Sequence, residues 1–203
     1  MRPRNGQAAT AMLRERIAEE AARLMIEQGI RDYATAKRKA AERLRIQTSG
    51  ALPSNALVEE RVAARQRIFE AGEHAERQSV LRRIALRLMD ELAAFRPRLV
   101  GPVLAGTATE NAVIELHVFS DQVELVGAAL TRLNHLHRSV ERRCRFARSS
   151  VVRVPGFRFV VEYADVLIEV FPEDGIRQAP LSPIDQRPMR RAARDAVVAL
   201  LDA

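Results

Sequence analysis

Tryptophan is absent, aromatic residues make up only 4% of the chain, and there is a single cysteine. One cysteine, Cys144, excludes an intramolecular disulfide framework and any cysteine-cluster zinc site. The scarcity of aromatics means that a core must be built from Ala, Leu, Val and Ile, which suits helices packed against a sheet. Nowhere does the sequence hold the roughly 20 uninterrupted apolar residues that a membrane helix needs. Met1 to Thr10 carries Arg2 and Arg4 with no apolar run behind them, so a secretory signal is not expected and the protein is read as cytoplasmic. What is present is ample apolar material: 47% of 203 residues, enough for one large domain or two small ones, which excludes disorder throughout.

The formal net charge of +7 is unevenly spread. Residues 1–98 carry 20 Lys and Arg against 13 Asp and Glu, and residues 99–203 carry 13 of each. Nearly all the cations are Arg, with Lys37 and Lys39 the lysines. A base-composition bias would produce the same enrichment, so charge alone does not establish a nucleic-acid ligand. Cys144 sits among Arg142, Arg143 and Arg145, a setting that lowers a thiol pKa when the cations are close; the plainer account is an ordinary strand residue.

Apolar spacing predicts four helices in the front half. Met12 to Gln28 places Leu13, Ile17, Ala21, Leu24 and Met25 on one face, with Gly29 as a natural stop. Asp32 is placed to cap a second helix to about Ile46, with Tyr33, Ala36, Ala40 and Leu44 inward. Thr48, Ser49, Gly50 and Pro53 read as a loop. A third helix runs from about Asn55 to Ala71 (Val58, Val62, Ile68 and Phe69 inward), and a fourth from about Glu76 to Phe95, stopped by Pro97. Beyond Leu99 the period changes to two. An apolar run from Leu99 to Leu104, read as a first short strand, precedes a turn at Gly106 to Thr109, and Val113 to Phe119 is a second strand. A helix capped by Asp121 follows to about Leu133. Three strands come next, at Arg138 to Arg148, Val151 to Tyr163 and Val166 to Phe171, then a proline-punctuated loop at 180–188 and a helix from about Met189 to Leu201.

The run Leu99-Val100-Gly101-Pro102-Val103-Leu104-Ala105-Gly106-Thr107-Ala108, followed by Val113-Ile114-Glu115-Leu116-His117-Val118-Phe119, resembles the core of the DNA polymerase β-like nucleotidyltransferase superfamily. Two further segments, Gly29 to Ala41 and Phe95 to Gly101, resemble a bacterial group of nucleotidyltransferase-like proteins with a helical front half. The resemblance implies an α+β fold: a basic helical region of about four helices (1–98), then a nucleotidyltransferase-like mixed β-sheet domain with flanking helices (99–203). It also implies a Gly-Ser or Gly-Thr turn that brings backbone N–H groups to a nucleotide triphosphate, matched by Gly106 and Thr107. On the next strand it implies two carboxylates one apolar residue apart, which alternation sends to the same face to grip divalent ions. Glu115 matches the second of these and Val113 stands at the first. Glu169, on a later strand, is the best third carboxylate for a two-metal site, with Asp165 and Glu162 in reserve. His117 shares the face of Glu115, and its imidazole suits Mn²⁺ better than Mg²⁺. Glu115 and Glu169 are thus the implied catalytic residues, with His117 as an added metal ligand for Mg²⁺ or Mn²⁺.

Arg31, Arg38 and Arg45 recur every seven residues with Lys39 and Arg43 beside them, a line that can track RNA or DNA phosphates; a solvated helix face is the competing account. In the strands from Arg138 to Arg158, alternation puts Arg143 and Arg145 on one face and Arg138, Arg142 and Arg148 on the other. Few aromatics accompany them, so base stacking is poorly supported. Arg190 and Arg191, at the start of the last predicted helix, are placed to reach a nucleotide phosphate; an Arg-rich surface turn is the alternative. Three readings follow: a divergent nucleotidyltransferase moving a nucleoside monophosphate to an acceptor, a catalytically inactive module of that fold binding nucleic acid or protein, and a domain docked by its front helices to a partner or a second copy.

Overall fold

A computed structural model of the chain describes residues 4–46, 52–69, 71–146 and 150–202. The fold is mixed α+β, with seven α-helices and one five-stranded sheet among the described residues. None of the described helices is long and apolar enough to cross a membrane. The chain divides into two compact units. The first takes the residues up to His74 with 109–111 and 183–185; the second takes 75–108, 112–182 and the residues from Gln186 onward.

The first unit is built on helices α1 (Arg4–Glu27), α2 (Tyr33–Arg43) and α3 (Asn55–Phe69). Its core is dominated by small residues, with Ala18, Ala21, Ala22, Ala36, Ala40 and Ala41 fully buried beside Ile17, Leu24, Val58 and Val62. Short side chains let helix backbones approach closely, which takes the place of aromatic bulk. Gly29 ends α1 in the left-handed region at φ +63, where a Cβ would also press into Asn111. Asp32 caps α2 by accepting from the Thr35 backbone N–H at 2.7 Å. Hydrogen bonding from the Thr35 side chain, and then from its backbone, holds the carboxyl below the ordinary range. Thr48 to Gly50 and the side chains of Ile68 and Phe69 lie outside the described residues.

Helix α2 ends at Arg43 and not near Ile46, because Leu44 caps it and Arg45 turns into the left-handed region at φ 54. Arg31 lies ahead of the Asp32 cap. The expected seven-residue line of arginines along one helix therefore does not form: Arg38 and Lys39 are on α2, and Arg31 and Arg45 flank it. All four are exposed.

The second unit carries the sheet, in the order β1-β2-β5-β4-β3. The strands are β1 (Arg98–Val100), β2 (Val113–Phe119), β3 (His137–Arg145), β4 (Val151–Val161) and β5 (Ala164–Phe171). β2 and β5 are parallel; the remaining pairs are antiparallel. Period-two alternation sends Ile114, Leu116, Val118, Val166, Ile168 and Val170 to one face, where they meet Leu88 and Leu92, and Val126 and Leu130 of α6 (Val123–Arg132). Helix α4 (Ala71–Glu91) contributes Ile84, Leu88 and Met89 to this core. The division expected at residue 98 thus does not coincide with the contact units: α4 buries its apolar stripe with the sheet and belongs, from Ala75, with it.

Three local expectations are corrected. The apolar run at 99–104 is not one strand: β1 stops at Val100, Gly101 takes φ +70, and Pro102 opens the short helix α5 (Gly101–Ala105). Asp121 does not cap α6. Gln122 occupies the cap, and Asp121 accepts from the Glu173 backbone N–H at 3.0 Å. The last helix, α7, spans only Arg194–Ala199, because Ala192 is extended and exchanges two 2.9 Å backbone hydrogen bonds with Leu99 on the outer edge of β1. β3 ends at Arg145, and Arg148 lies outside the described residues.

Candidate functional site: a buried polar relay on the sheet

Opposite the apolar core, the second face of the sheet collects the polar side chains. The parallel register of β2 and β5 places His117 beside Glu169, Glu115 beside Leu167 and Val113 beside Asp165. Glu115, His117 and Glu169 therefore share one face, as alternation requires. His117 is 0% and Glu169 3% exposed, so neither can rely on water for its hydrogen bonds.

Each finds partners inside the protein. Arg191 Nε donates to His117 Nδ1 at 2.9 Å. Arginine has only donors, so Nδ1 carries no proton; the ring proton sits on Nε2 and is donated to Glu169 Oε2, 3.0 Å away. Burial pushes the imidazole pKa down in spite of Glu169. The other oxygen of Glu169 accepts from Cys144 Sγ at 3.4 Å and lies 3.5 Å from Arg142 Nε. Burial alone would push the Glu169 carboxyl up; the His117 hydrogen bond and the nearby positive charge outweigh it and hold the group below the ordinary range. Cys144 is pushed up to about 12, by burial first and then by the Glu169 charge, so the arginines around it do not produce a reactive thiolate.

Two backbone features build this relay. β3 lies two strands from β5, about 9.6 Å at ordinary strand spacing. β4 sets Gly156 directly beside Glu169, so no side chain stands between them and Arg142 and Cys144 can reach across. On the opposite flank, the extended stretch at Ala192 aims Arg191 inward. Its guanidinium stacks on Phe119 and Phe171, 5.1 and 4.9 Å from the ring centroids, and Nη1 donates to the Gly175 carbonyl at 2.8 Å. Arg190, next along the chain, is exposed.

Glu115 stands apart from this network. It forms no hydrogen bond or ion pair with a described residue and rests against Gly101, where a Cβ would lie 2.9 Å from Oε2. Burial raises its pKa; Arg142 opposes the shift and Glu169 reinforces it. The small residue beside Glu115 is thus Gly101 and not Gly106. Gly106 and Thr107 lie at the far end of α5, and both their backbone N–H groups are donated to the Pro102 carbonyl, at 2.9 and 3.0 Å. Those are the groups a phosphate cradle would need, and here they close a helix terminus.

The donor set does not fit a pair of Mg²⁺ or Mn²⁺ ions. Val113 offers no ligand, both ring nitrogens of His117 are engaged, and both oxygens of Glu169 have partners. Glu115 remains as a single carboxylate, where such ions need several oxygens. Among the described residues no group of three or more His, Cys, Asp or Glu side chains is placed to hold a metal. The reserve carboxylates are engaged as well: Asp165 pairs with Arg158 at 2.8 Å and Glu162 with Arg87 at 2.9 Å.

The strand register brings Glu169 to the face shared by Glu115 and His117; sequence reasoning placed only the latter two together and named Arg191 alongside Arg190 for a nucleotide phosphate. It missed Arg142, Cys144 and Gly156 as parts of the same cluster. The available signal was a glycine in mid-strand, which marks a close approach, but it needed the strand order to be interpreted.

No family model matches the chain. No curated protein matches it. Among solved structures, a chain from one described as "structure of GLD-2/RNP-8 complex" is similar at 14% identity over 58% of this chain and 48% of that one, with a TM-score of 0.30. The present chain thus spans about half the length of that neighbour, and a likeness at that score is weak.

Proposed function

We propose that this chain is a nucleotidyltransferase-like domain that has lost metal-assisted transfer and serves as a nucleic-acid-binding module. The kinship rests on the motif from Leu99 to Phe119 and on the strand arrangement around it, with Glu169 delivered by a later strand directly beside β2. The observation that carries the loss is His117, held between Arg191 and Glu169 with no nitrogen free. Arginine and histidine occupy the polar partners of Glu169 where a transferase of this type would use cations, and Val113 removes another ligand. Nucleic acid as partner is favoured by exposed cations in both units, among them Arg31, Arg38, Lys39 and Arg45 in the first and Arg138, Arg143 and Arg153 in the second.

The test has two arms. Incubation with α-phosphate-labelled nucleoside triphosphates, an RNA or protein acceptor and Mg²⁺ or Mn²⁺ gives no labelled product, and Glu115→Gln leaves any triphosphate binding unchanged. Affinity for RNA and DNA oligonucleotides falls steeply with added salt. Metal-dependent triphosphate binding that Glu115→Gln abolishes overturns the first half of the proposal; a flat salt response, or no nucleic-acid binding, overturns the second.

A further inference from the structure

The outer half of the β3–β4 pair differs from the rest of the sheet. β4 is hydrogen-bonded to β5 only from Gly156 to Val161, so Val151 to Pro155 pair with β3 alone and form a two-stranded ribbon with Glu141 to Arg145. One face of that ribbon is anchored. Val154 is buried with Phe119 and Phe171, Cys144 and Phe146 pack against them, and Arg142 reaches Glu169. The opposite face carries Glu141, Arg143 and Arg145 on β3 and Val151, Arg153 and Pro155 on β4, nearly all of it exposed.

On this outer face Arg143 stands directly opposite Arg153. Two like charges across an antiparallel pair repel, and a fold without use for them would alternate the sign. The single acid here, Glu141, approaches Arg153 at 3.4 Å with both side chains mostly in water, and Arg143 has no acidic partner among the described residues. Arg145 extends the row, two residues on and about 6.8 Å further along the strand, its exposed guanidinium donating to Gln186 Oε1 at 3.3 Å. A rigidly based ribbon with three arginines and one acid on its free face is built to meet a row of negative charges.

Resting on the nucleic-acid reading above, we infer that this ribbon is a duplex DNA-binding element, laid in the major groove with Arg143, Arg145 and Arg153 against the flanking phosphates. Three arguments select the occupant. The major groove of B-form DNA admits a two-stranded ribbon, whereas the deep, narrow major groove of A-form RNA does not. The free face has no aromatic residue, so it lacks the stacking platform that single strands use. The arginine spacing spans about two phosphates, which follow each other every 3.4 Å of axis on each DNA strand. Val151, 47% exposed beside Arg145, adds an apolar contact of the size of a thymine methyl.

The test is fluorescence anisotropy of the full chain with a fluorescein-labelled DNA duplex of mixed sequence, titrated over a range of salt. Arg143→Gln with Arg153→Gln is expected to weaken binding about tenfold or more and to make the log–log salt slope shallower by about 1.8, two phosphate contacts' worth. Arg143→Lys with Arg153→Lys is expected to keep most of the slope. Both positions are exposed, and an unchanged circular dichroism spectrum verifies the fold. Duplex binding with affinity and slope unaltered in the glutamine pair overturns the ribbon and leaves the nucleic-acid reading standing. Preference for single-stranded or A-form RNA, insensitive to the pair, does the same. Absence of binding to any nucleic acid overturns both.

Discussion

His117 and Glu169 face each other in the parallel pair β2–β5 with Nε2 and Oε2 3.0 Å apart, each almost entirely withdrawn from water. Removing the carboxylate strands an imidazole N–H, a thiol and a nearby guanidinium at once. Glu169→Ala is expected to cost about 3–5 kcal/mol, the range for breaking a buried pair on one side. Urea unfolding at neutral pH measures it; a loss under about 1 kcal/mol would show that the relay contributes little.

The same pair sets a pH dependence. The folded His117 pKa lies below its unfolded value of about 6.5, so the unfolded chain binds more protons and stability falls as pH drops below about 6.5. Glu169 adds a fall of the same sign at lower pH, because its folded pKa is also lowered. Unfolding free energies across an acid series should decline accordingly. His117→Asn should flatten the upper part of that decline.

Glu115 has the opposite sign. Its folded pKa is raised, so it favours folding below its unfolded value, and that contribution is lost as pH rises through the folded one. At neutral pH Glu115→Gln should therefore be neutral to stabilising, by up to about 1 kcal/mol, because the side chain is only half-buried and its carboxylate keeps contact with water. The gain should vanish in acid. Millimolar Mg²⁺ should not raise the wild-type melting temperature; a metal-induced rise that Glu115→Gln removes would restore the metal site.

Two glycines separate necessity from tolerance. A Cβ at Gly156 would collide with the backbone carbonyl of Ile168, and one at Gly72 meets nothing within 4 Å. Gly156→Ala should lose about 1–3 kcal/mol or more through overpacking and should part Arg142 from Glu169. Gly72→Ala, within α4, should gain about 0.5–1 kcal/mol. Thermal melts of the two variants compare them directly.

Local signals were legible where the physics is local. Gly29 and Asp32 mark the end of α1 and the start of α2 because a left-handed stop and a side-chain cap act within a few residues. Alternation assigned Glu115 and His117 to one face for the same reason, while it took the β2–β5 register to bring Glu169 to that face. Where a partner distant in sequence decides, the residues alone misled. Met189 to Arg191 carry no mark against a helix; Leu99, far back along the chain, draws Ala192 into an extended bridge instead. Asp121 has the chemistry of a cap, but its carboxylate is taken by the backbone of Glu173. The resemblance placed the small turn at Gly106, whereas the positive φ that matters beside Glu115 belongs to Gly101, five residues earlier.

The bridge between Leu99 and Ala192 also bears on how the polypeptide matures. Translation delivers β1 long before its outer neighbour, so a nascent chain that has extruded all five strands still displays a bare hydrogen-bonding margin and a histidine lacking its arginine donor. Only when position 192 clears the ribosome can that margin close, and until then it is a natural place for a chaperone to hold or for neighbouring nascent chains to stick.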